Sequence, residues 1–347
     1  MDKVIKKYGS LWGGGGESYH FPKAVALVVF NRLDCVQEQF KVLRQVTPPK
    51  LYVISDGART DINGEAEKVS AVRKYIEDNI DWECEVIKIY AEENMGCDRR
   101  SISGYNYVFE KEESAVLLED DSIPSVDFYR YTEKMLDYYK DTPEVMMVGG
   151  YNLAPDFRED GKDYYFSYFP AEYAWATWRR AWKLIGTWRE NYDNWNDKCL
   201  YEMMPKRVAN VMRGRILANY NGWSAWDSIW NFVMLYHRGY GVVSAQNYVQ
   251  NIGTGREDAF HPGEYNAFMR PAYGKIPENF KYRSKVHWDK EYDFYQSEMR
   301  FKEGCDKNWY QFYIRENCLW FAKKYFPKWL YKGIGRIKRG LKIGESR

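Results

Sequence analysis

From Ala24 to Phe30 the chain runs Ala-Val-Ala-Leu-Val-Val-Phe without a polar residue. That is the pattern of a strand buried on both faces. It ends in Asn31-Arg32-Leu33-Asp34, and Val36 to Val46 then shows helical spacing. A second apolar run, Leu51 to Ser55, ends in Asp56-Gly57 and precedes a helical stretch over Ala66 to Ile80. A third, Glu85 to Tyr90, leads to a turn at Asn94-Met95-Gly96 and a helix over about Ser101 to Lys111. The fourth, Ala115 to Leu118, runs straight into Glu119-Asp120-Asp121. Strand and helix alternate four times, which predicts an α/β fold with a parallel sheet covered by helices on both faces.

Farther along the pattern loosens. Val145 to Val148 reads as a strand, Tyr164 to Tyr173 as an aromatic extended segment, Thr177 to Glu190 as a helix, and Gly241 to Ser244 as a strand. Helical candidates cover Phe128 to Tyr139, Arg207 to Asn219 and Asp227 to His237. This divides the chain into a lead-in over 1–22, a nucleotide-binding half over 23–150, an acceptor-binding half over 151–270 and a C-terminal extension over 271–347. Gly13 to Gly16 in the lead-in are not preceded by a strand or followed by Lys-Ser/Thr, so a flexible loop is expected there and not a phosphate loop.

Strand ends carry the candidate chemistry. In an open α/β sheet, ligands bind in the crevice outside the carboxyl ends of the strands, where Asn31, Arg32, Asp56, Asn94 and the acids 119–121 would gather. A hard divalent cation takes oxygen ligands and completes its shell with water and substrate phosphates. Acids at that edge therefore suit a metal and a diphosphate, although a solvated strand end or helix-capping cluster would use the same residues. Nothing like GxGxxG follows the first strand, which argues against a dinucleotide enzyme.

Composition narrows the choice. The 347 residues carry a net charge of +2, too little basic excess for a dedicated nucleic-acid binder. Six dispersed cysteines form no CxxC pair, which makes a zinc site or redox motif unexpected. No window reaches the length of a membrane-spanning helix, and Met1 to Lys7 does not read as a signal peptide, so a cytoplasmic location is expected. Aromatic residues make up 18%, an excess that fits flat rings stacked on sugars, and also interfaces. Leu319 to Lys342 interleaves lysines and arginines with aromatics, the signature of a helical tail drawn to an anionic membrane surface at the inner face of the cell membrane.

With these residues in order, the chain resembles glycosyltransferases of the GT-A fold, in particular the N-acetylglucosaminyltransferase I type and related bacterial sugar transferases. The likeness rests on Asn31-Arg32, Ser55-Asp56-Gly57, the 94–100 turn, Glu119-Asp120-Asp121, Tyr168-Phe169-Pro170 with Trp175, and Trp226-Asp227. It implies a GT-A, Rossmann-like, mixed but mostly parallel sheet flanked by helices. It also implies an inverting transfer from a nucleoside-diphosphate sugar, with a UDP-sugar favoured, to a glycan or lipid-linked glycan. Asp121 would ligate Mn2+ or Mg2+, with His261 a further candidate, while Glu119 and Asp120 would contact the donor. By the same resemblance Asp56 would pair with the base, Asn31, Arg32 and Arg99 would face base or diphosphate, and Asp227 would be the catalytic base. Trp175 and Trp226 would hold the acceptor. The family's Trp-Asp-Asp element is Trp226-Asp227-Ser228 here, so its second acid is missing. Without the resemblance, Asp227 reads first as a helix N-cap. The competing classes are a nucleotidyltransferase, which would need a Gly-rich basic loop after the first strand, and a noncatalytic carbohydrate-binding protein.

Overall fold

The computed structural model describes residues 19–157, 161–222, 225–258 and 270–302, together with 313–314, 317–318, 320–322 and 325–326. In chain order the strands are β1 (Ala24–Val29), β2 (Lys50–Ser55), β3 (Glu85–Tyr90), β4 (Ser114–Glu119), β5 (Ser122–Pro124), β6 (Val145–Gly149), β7 (Tyr164–Ser167), β8 (Trp175–Trp178), β9 (Tyr240–Ser244) and β10 (Val249–Asn251). The α-helices are α1 (Leu33–Val46), α2 (Glu65–Asp78), α3 (Cys97–Lys111), α4 (Val126–Tyr138), the short turns α5 (Arg179–Trp182), α6 (Trp188–Asp193) and α7 (Leu200–Met203), then α8 (Lys206–Tyr220), α9 (Trp226–Tyr236) and α10 (Lys290–Lys302).

Eight strands form one sheet in the order β3-β2-β1-β4-β8-β6-β9-β7, and β5 pairs with β10 in a small second sheet. β1 runs parallel to β2 and β4, β2 to β3, and β6 to β9. β8 lies antiparallel between β4 and β6, and β7 is antiparallel on β9. The fold is therefore α/β with a mixed, mostly parallel sheet, as the first four strand–helix units predict.

Alternation along each central strand divides the core in two. Val25, Leu27 and Val29 of β1, Leu51 and Val53 of β2, and Val116 and Leu118 of β4 face one side, packed against α1, α2 and α4. Ala26, Tyr52, Ile54, Ala115 and Leu117 face the other, against α3, α8 and α9. Gly104 of α3 permits close packing there, because a Cβ would lie 2.5 Å from the side chain of Ile54.

One expected element is corrected. Thr177 to Glu190 is not a single helix: its start belongs to β8, and a 3-10 turn over Lys183–Thr187 separates α5 from α6. Trp175 to Trp178 are all buried within the sheet, where Thr177 Oγ1 donates to the carbonyl of Met146. Burial between two neighbours outweighs the helical spacing of the tryptophans.

The segment after residue 270 joins this sheet. Asp289 accepts from the backbone N–H of Phe166 at 2.7 Å and Asp293 from that of Tyr168 at 2.9 Å, so two carboxylates line the open side of β7. The tetraglycine, His261, Leu319 and residues 327–347 lie outside the described residues. Among the described residues no helix is long and apolar enough to cross a membrane.

Candidate active site

The carboxyl ends of β1, β2, β3 and β4 lie along one edge of the sheet. Because β8 runs the other way, its entry meets that same edge, with Leu117 of β4 opposite Trp175. Glu172 and Tyr173, just before β8, therefore come beside the acids that follow β4. The first turn of α9, carrying Asp227, joins them. Glu119 feels the charges of Asp121, Asp120 and Asp227, and Glu172 feels that of Asp227.

Several backbone devices hold this edge. Gln39 of α1 is fully buried, and its side-chain amide donates to the carbonyls of Glu119 at 2.8 Å and Ser122 at 2.7 Å, bracing the bend that presents the three acids. From the other side Ile252 N donates to Asp121 O at 2.7 Å. Gly253 leaves room for that carboxylate, since a Cβ would sit 2.2 Å from Asp121 Oδ2 and displace it. At α9 the N-cap position is Ala225, and the carboxylate that caps the helix comes from α3: Asp98 accepts from Trp226 N at 2.8 Å. Asp227 is thus not the N-cap residue. Its Oδ1 accepts from the adjacent Ser228 N–H at 2.6 Å.

The electrostatics are those of crowded acids. Burial first, then repulsion from Asp121, Asp120 and Asp227, pushes the Glu119 carboxyl up to about 8, with Arg32 opposing. Burial likewise pushes Asp120 up to about 6 against the pull of Arg32. Glu172 is pushed up to about 8 by burial and by Asp227. Desolvation and like charge both disfavour ionised carboxylates in this way, and such clusters collect at functional sites.

Arg32 is the counter-ion. Its Nε donates to Asp120 Oδ2 at 3.2 Å, its Nη2 to Asp120 Oδ1, and its Nη1 to Asp121 Oδ2 at 2.9 Å. Burial works against its charge, but the two acids hold its pKa above the usual value. In this structure Arg32 spans two protein acids, and Asp120, 3% exposed, has both oxygens on Arg32.

The structure redirects other expected residues too. Asp56 takes four N–H donors: Gly57 N and Met95 N on Oδ1, and Gly96 N and the Asn94 amide on Oδ2, at 2.9 to 3.2 Å. A carboxylate has about four acceptor positions, so Asp56 clasps the β3–α3 turn and has none left for a base. Asn31 donates to Glu65 Oε1 at 3.0 Å, tying the end of β1 to α2. Arg99 is exposed on the first turn of α3. Trp175 and Trp226 are 1% and 4% exposed. They stack on each other with ring centroids 5.7 Å apart and pack with Tyr105, Trp182 and Trp230. They are core residues and offer no ring face to a sugar. Asp121 and Asp227 both lie within electrostatic range of Glu119. Gln39, Asp98, Glu172 and Gly253 also belong to this edge. An acid just ahead of an aromatic strand was the available signal for Glu172, whereas a lone Gln in an amphipathic helix has none.

Among the described residues no three His, Cys, Asp or Glu groups converge to hold a metal by themselves. A cation that takes one carboxylate and fills its shell from phosphate and water is a smaller demand. Asp121 fits it: its Oδ1 has only distant donors, Asn251 Nδ2 and Ser122 Oγ, each at 3.3 Å, and its side chain keeps 14% of its surface open.

No family model matches the chain, and no curated protein does. Among solved structures it is similar to the mannosyltransferase PcManGT from Pyrobaculum calidifontis in complex with GDP-Man and Mn2+. Identity is 12%, the TM-score is 0.33, and the overlap covers 68% of this chain and 74% of that chain. A similarity this shallow carries no weight for what the present chain does.

Proposed function

We propose that the chain is a metal-dependent glycosyltransferase, which moves a sugar from a nucleoside-diphosphate donor to a hydroxyl of a glycan or glycolipid with inversion at the anomeric carbon. The observation that carries this reading is the approach of Asp227 to the Glu119–Asp121 bend at the carboxyl edge of a nucleotide-type sheet, where burial first, and then repulsion from Asp121, Asp120 and Asp227, pushes the Glu119 carboxyl up to about 8. Such an edge has a use for a cationic ligand and for a proton-bearing one. The resemblance in motif order points the same way.

Asp121 would hold Mn2+ or Mg2+, which when bound supplies Lewis-acid stabilisation of the departing diphosphate. The protein's own residues divide the remaining work. Arg32 keeps Asp120 and Asp121 together and neutralises part of their charge, so that a diphosphate can approach. Asp227 takes the proton of the acceptor hydroxyl as general base, a contribution typically of ~10²–10⁴-fold. Asp98 and Gln39 fix the two backbone turns that present Asp227 and Asp121. Trp175 and Trp226 are buried in the core.

Calorimetric titration with UDP, GDP, dTDP and CMP, each with and without Mn2+, tests the reading. One diphosphate should bind in a metal-dependent way, and its sugars should then be hydrolysed or transferred; silence from all four would sink the proposal. With the active donor in hand, Asp227→Asn should bind it as wild type does and lose at least ~10²-fold in transfer. Unchanged transfer would remove Asp227 as the base.

A further inference from the structure

One helical face of the molecule is apolar and turned to water. The described residues between 313 and 325 are helical, and Ile314, Cys318, Phe321 and Tyr325 follow one another at intervals of four, three and four. That spacing sets them in a single stripe along the helix. Every member of it is exposed: Ile314 by 51%, Phe321 by 53% and Tyr325 by 58%, with Cys318 between them and Phe326 just beyond at 44%. Among the described residues no other phenylalanine is exposed. The ring of Phe321 lies 4.7 Å from that of Tyr325 and 6.2 Å from that of Phe326, so the three form one apolar cluster at the surface.

An amphipathic helix ordinarily turns such a stripe to the core. Here the body of the protein is met by other positions of the same helix. A Cβ on Gly214 of α8 would lie 2.7 Å from Tyr313 Cα, Arg213 Nη1 donates to Tyr313 Oη at 3.3 Å, and Ala322 is buried. The close approach to Gly214 fixes the seat of the helix, and that seat leaves the stripe outward. Contiguous apolar surface of this kind marks a place of contact.

Charge names what it contacts. From Leu319 onward the sequence holds nine lysines and arginines against Glu345 as its one acid. The whole chain is only +2, so the rest of the molecule is acidic. Only this end is drawn to a negative surface, and the acidic remainder is turned away from it. A second copy seated on the same face would bring two basic runs together, like charge against like.

We propose that the stripe from Ile314 to Tyr325, with Phe326, is a membrane-docking face that lies in the headgroup region of an anionic lipid bilayer, with the basic residues that follow it in sequence attracted to the lipid charge. The inference goes beyond the transferase reading and does not depend on it.

The test sediments the full chain, without nucleotide or metal, with vesicles of phosphatidylcholine alone or with about one part in four of phosphatidylglycerol. The mixed vesicles should carry the protein down at least ~10-fold more strongly than the neutral ones, and salt should weaken that binding by screening. Ile314→Ser/Phe321→Ser alters exposed positions only. It should keep the wild-type melting temperature and lose at least ~10-fold in binding to mixed vesicles. Should that pair disturb the fold, Phe321→Ser alone is expected to shift binding in the same direction. Ile314→Leu/Phe321→Leu, which keeps the stripe apolar, should bind as wild type does. Equal binding to the two kinds of vesicle, binding to neither, or full binding after Ile314→Ser/Phe321→Ser would overturn the proposal. So would a dimer, seen by centrifugation without lipid, that the same double substitution converts to monomer, since the stripe would then belong to a second copy.

Discussion

Arg32 illustrates how much a single side chain carries at this site. A guanidinium presents a planar fork that can serve one carboxylate with two bonds and still reach another, and Arg32 does this for Asp120 and Asp121. Removing it would leave buried carboxylates without their partner, which costs far more than the pair contributes net. Arg32→Met is therefore expected to lose about 3–5 kcal/mol in urea unfolding at pH 7, and Arg32→Met/Asp120→Leu to recover part of that loss. Gly253 makes a second case on steric grounds alone: Gly253→Ala places a methyl on Asp121 Oδ2. It should fold, and it should lose metal-dependent nucleotide binding, read by the same calorimetry as the wild type. The residue types at the strand ends were legible in the sequence, because acids after a buried apolar run stand out. Their partners were not: that Asp56 spends its acceptors on the β3–α3 turn, or that Asp120 is closed by Arg32, depends on contacts between residues about 40 and 90 positions apart.

Among the elements, β1 to β4 and their helices follow directly from apolar runs and helical spacing. β8 does not, because Trp175-Ala-Thr-Trp178 runs on into Arg-Arg-Ala-Trp, and tryptophans three and four apart imitate a helix face. Only its seat between β4 and β6 decides the matter. This reversed strand is also what brings Glu172 to the active edge, so the element hardest to read is the one that completes the site. The β5–β10 pair was invisible for another reason: three-residue strands carry no periodicity. The acid bend between β4 and β5 depends on α1 through Gln39, whose two hydrogen bonds are made inside the protein. Gln39→Leu removes a buried donor from both carbonyls and should cost about 1–3 kcal/mol, measured by thermal or denaturant unfolding. Transfer should drop further than that loss of stability explains, since Glu119 and Asp121 would lose their brace.

Across the whole molecule, the aromatic excess turns out to be largely a packing device. Tyr105, Trp175, Trp182, Trp226 and Trp230 knit one face, and Tyr131, Tyr164, Tyr248 and Phe280 belong to the other. Amphipathic rings serve core and sugar platform alike, so composition could not choose between them. The docking of α10 on β7 adds a pH dependence of its own. Burial, opposed by its hydrogen-bond donors, pushes the Asp293 carboxyl from 3.8 up to about 6. Between those values the folded chain holds a proton that the unfolded chain has lost. The stability from that proton is complete below 3.8 and disappears as pH rises to about 6. The melting temperature of Asp293→Asn, whatever its offset from wild type, should therefore gain on wild type between pH 4 and 6 and keep a constant gap above. A gap that does not change across that window would refute the assignment.

The carboxylates along β7 have one more consequence. The N–H groups of Phe166 and Tyr168 that would otherwise face an incoming chain are occupied by Asp289 and Asp293, and the carbonyl of Phe166 accepts from Asp289 N at 3.0 Å. An unpaired edge is a template for adding strands, and covering it is how proteins escape uncontrolled association. At this border the molecule cannot be extended strand by strand into a fibre, nor join a second copy by continuing its sheet, unless Asp289 and the start of α10 first lift away.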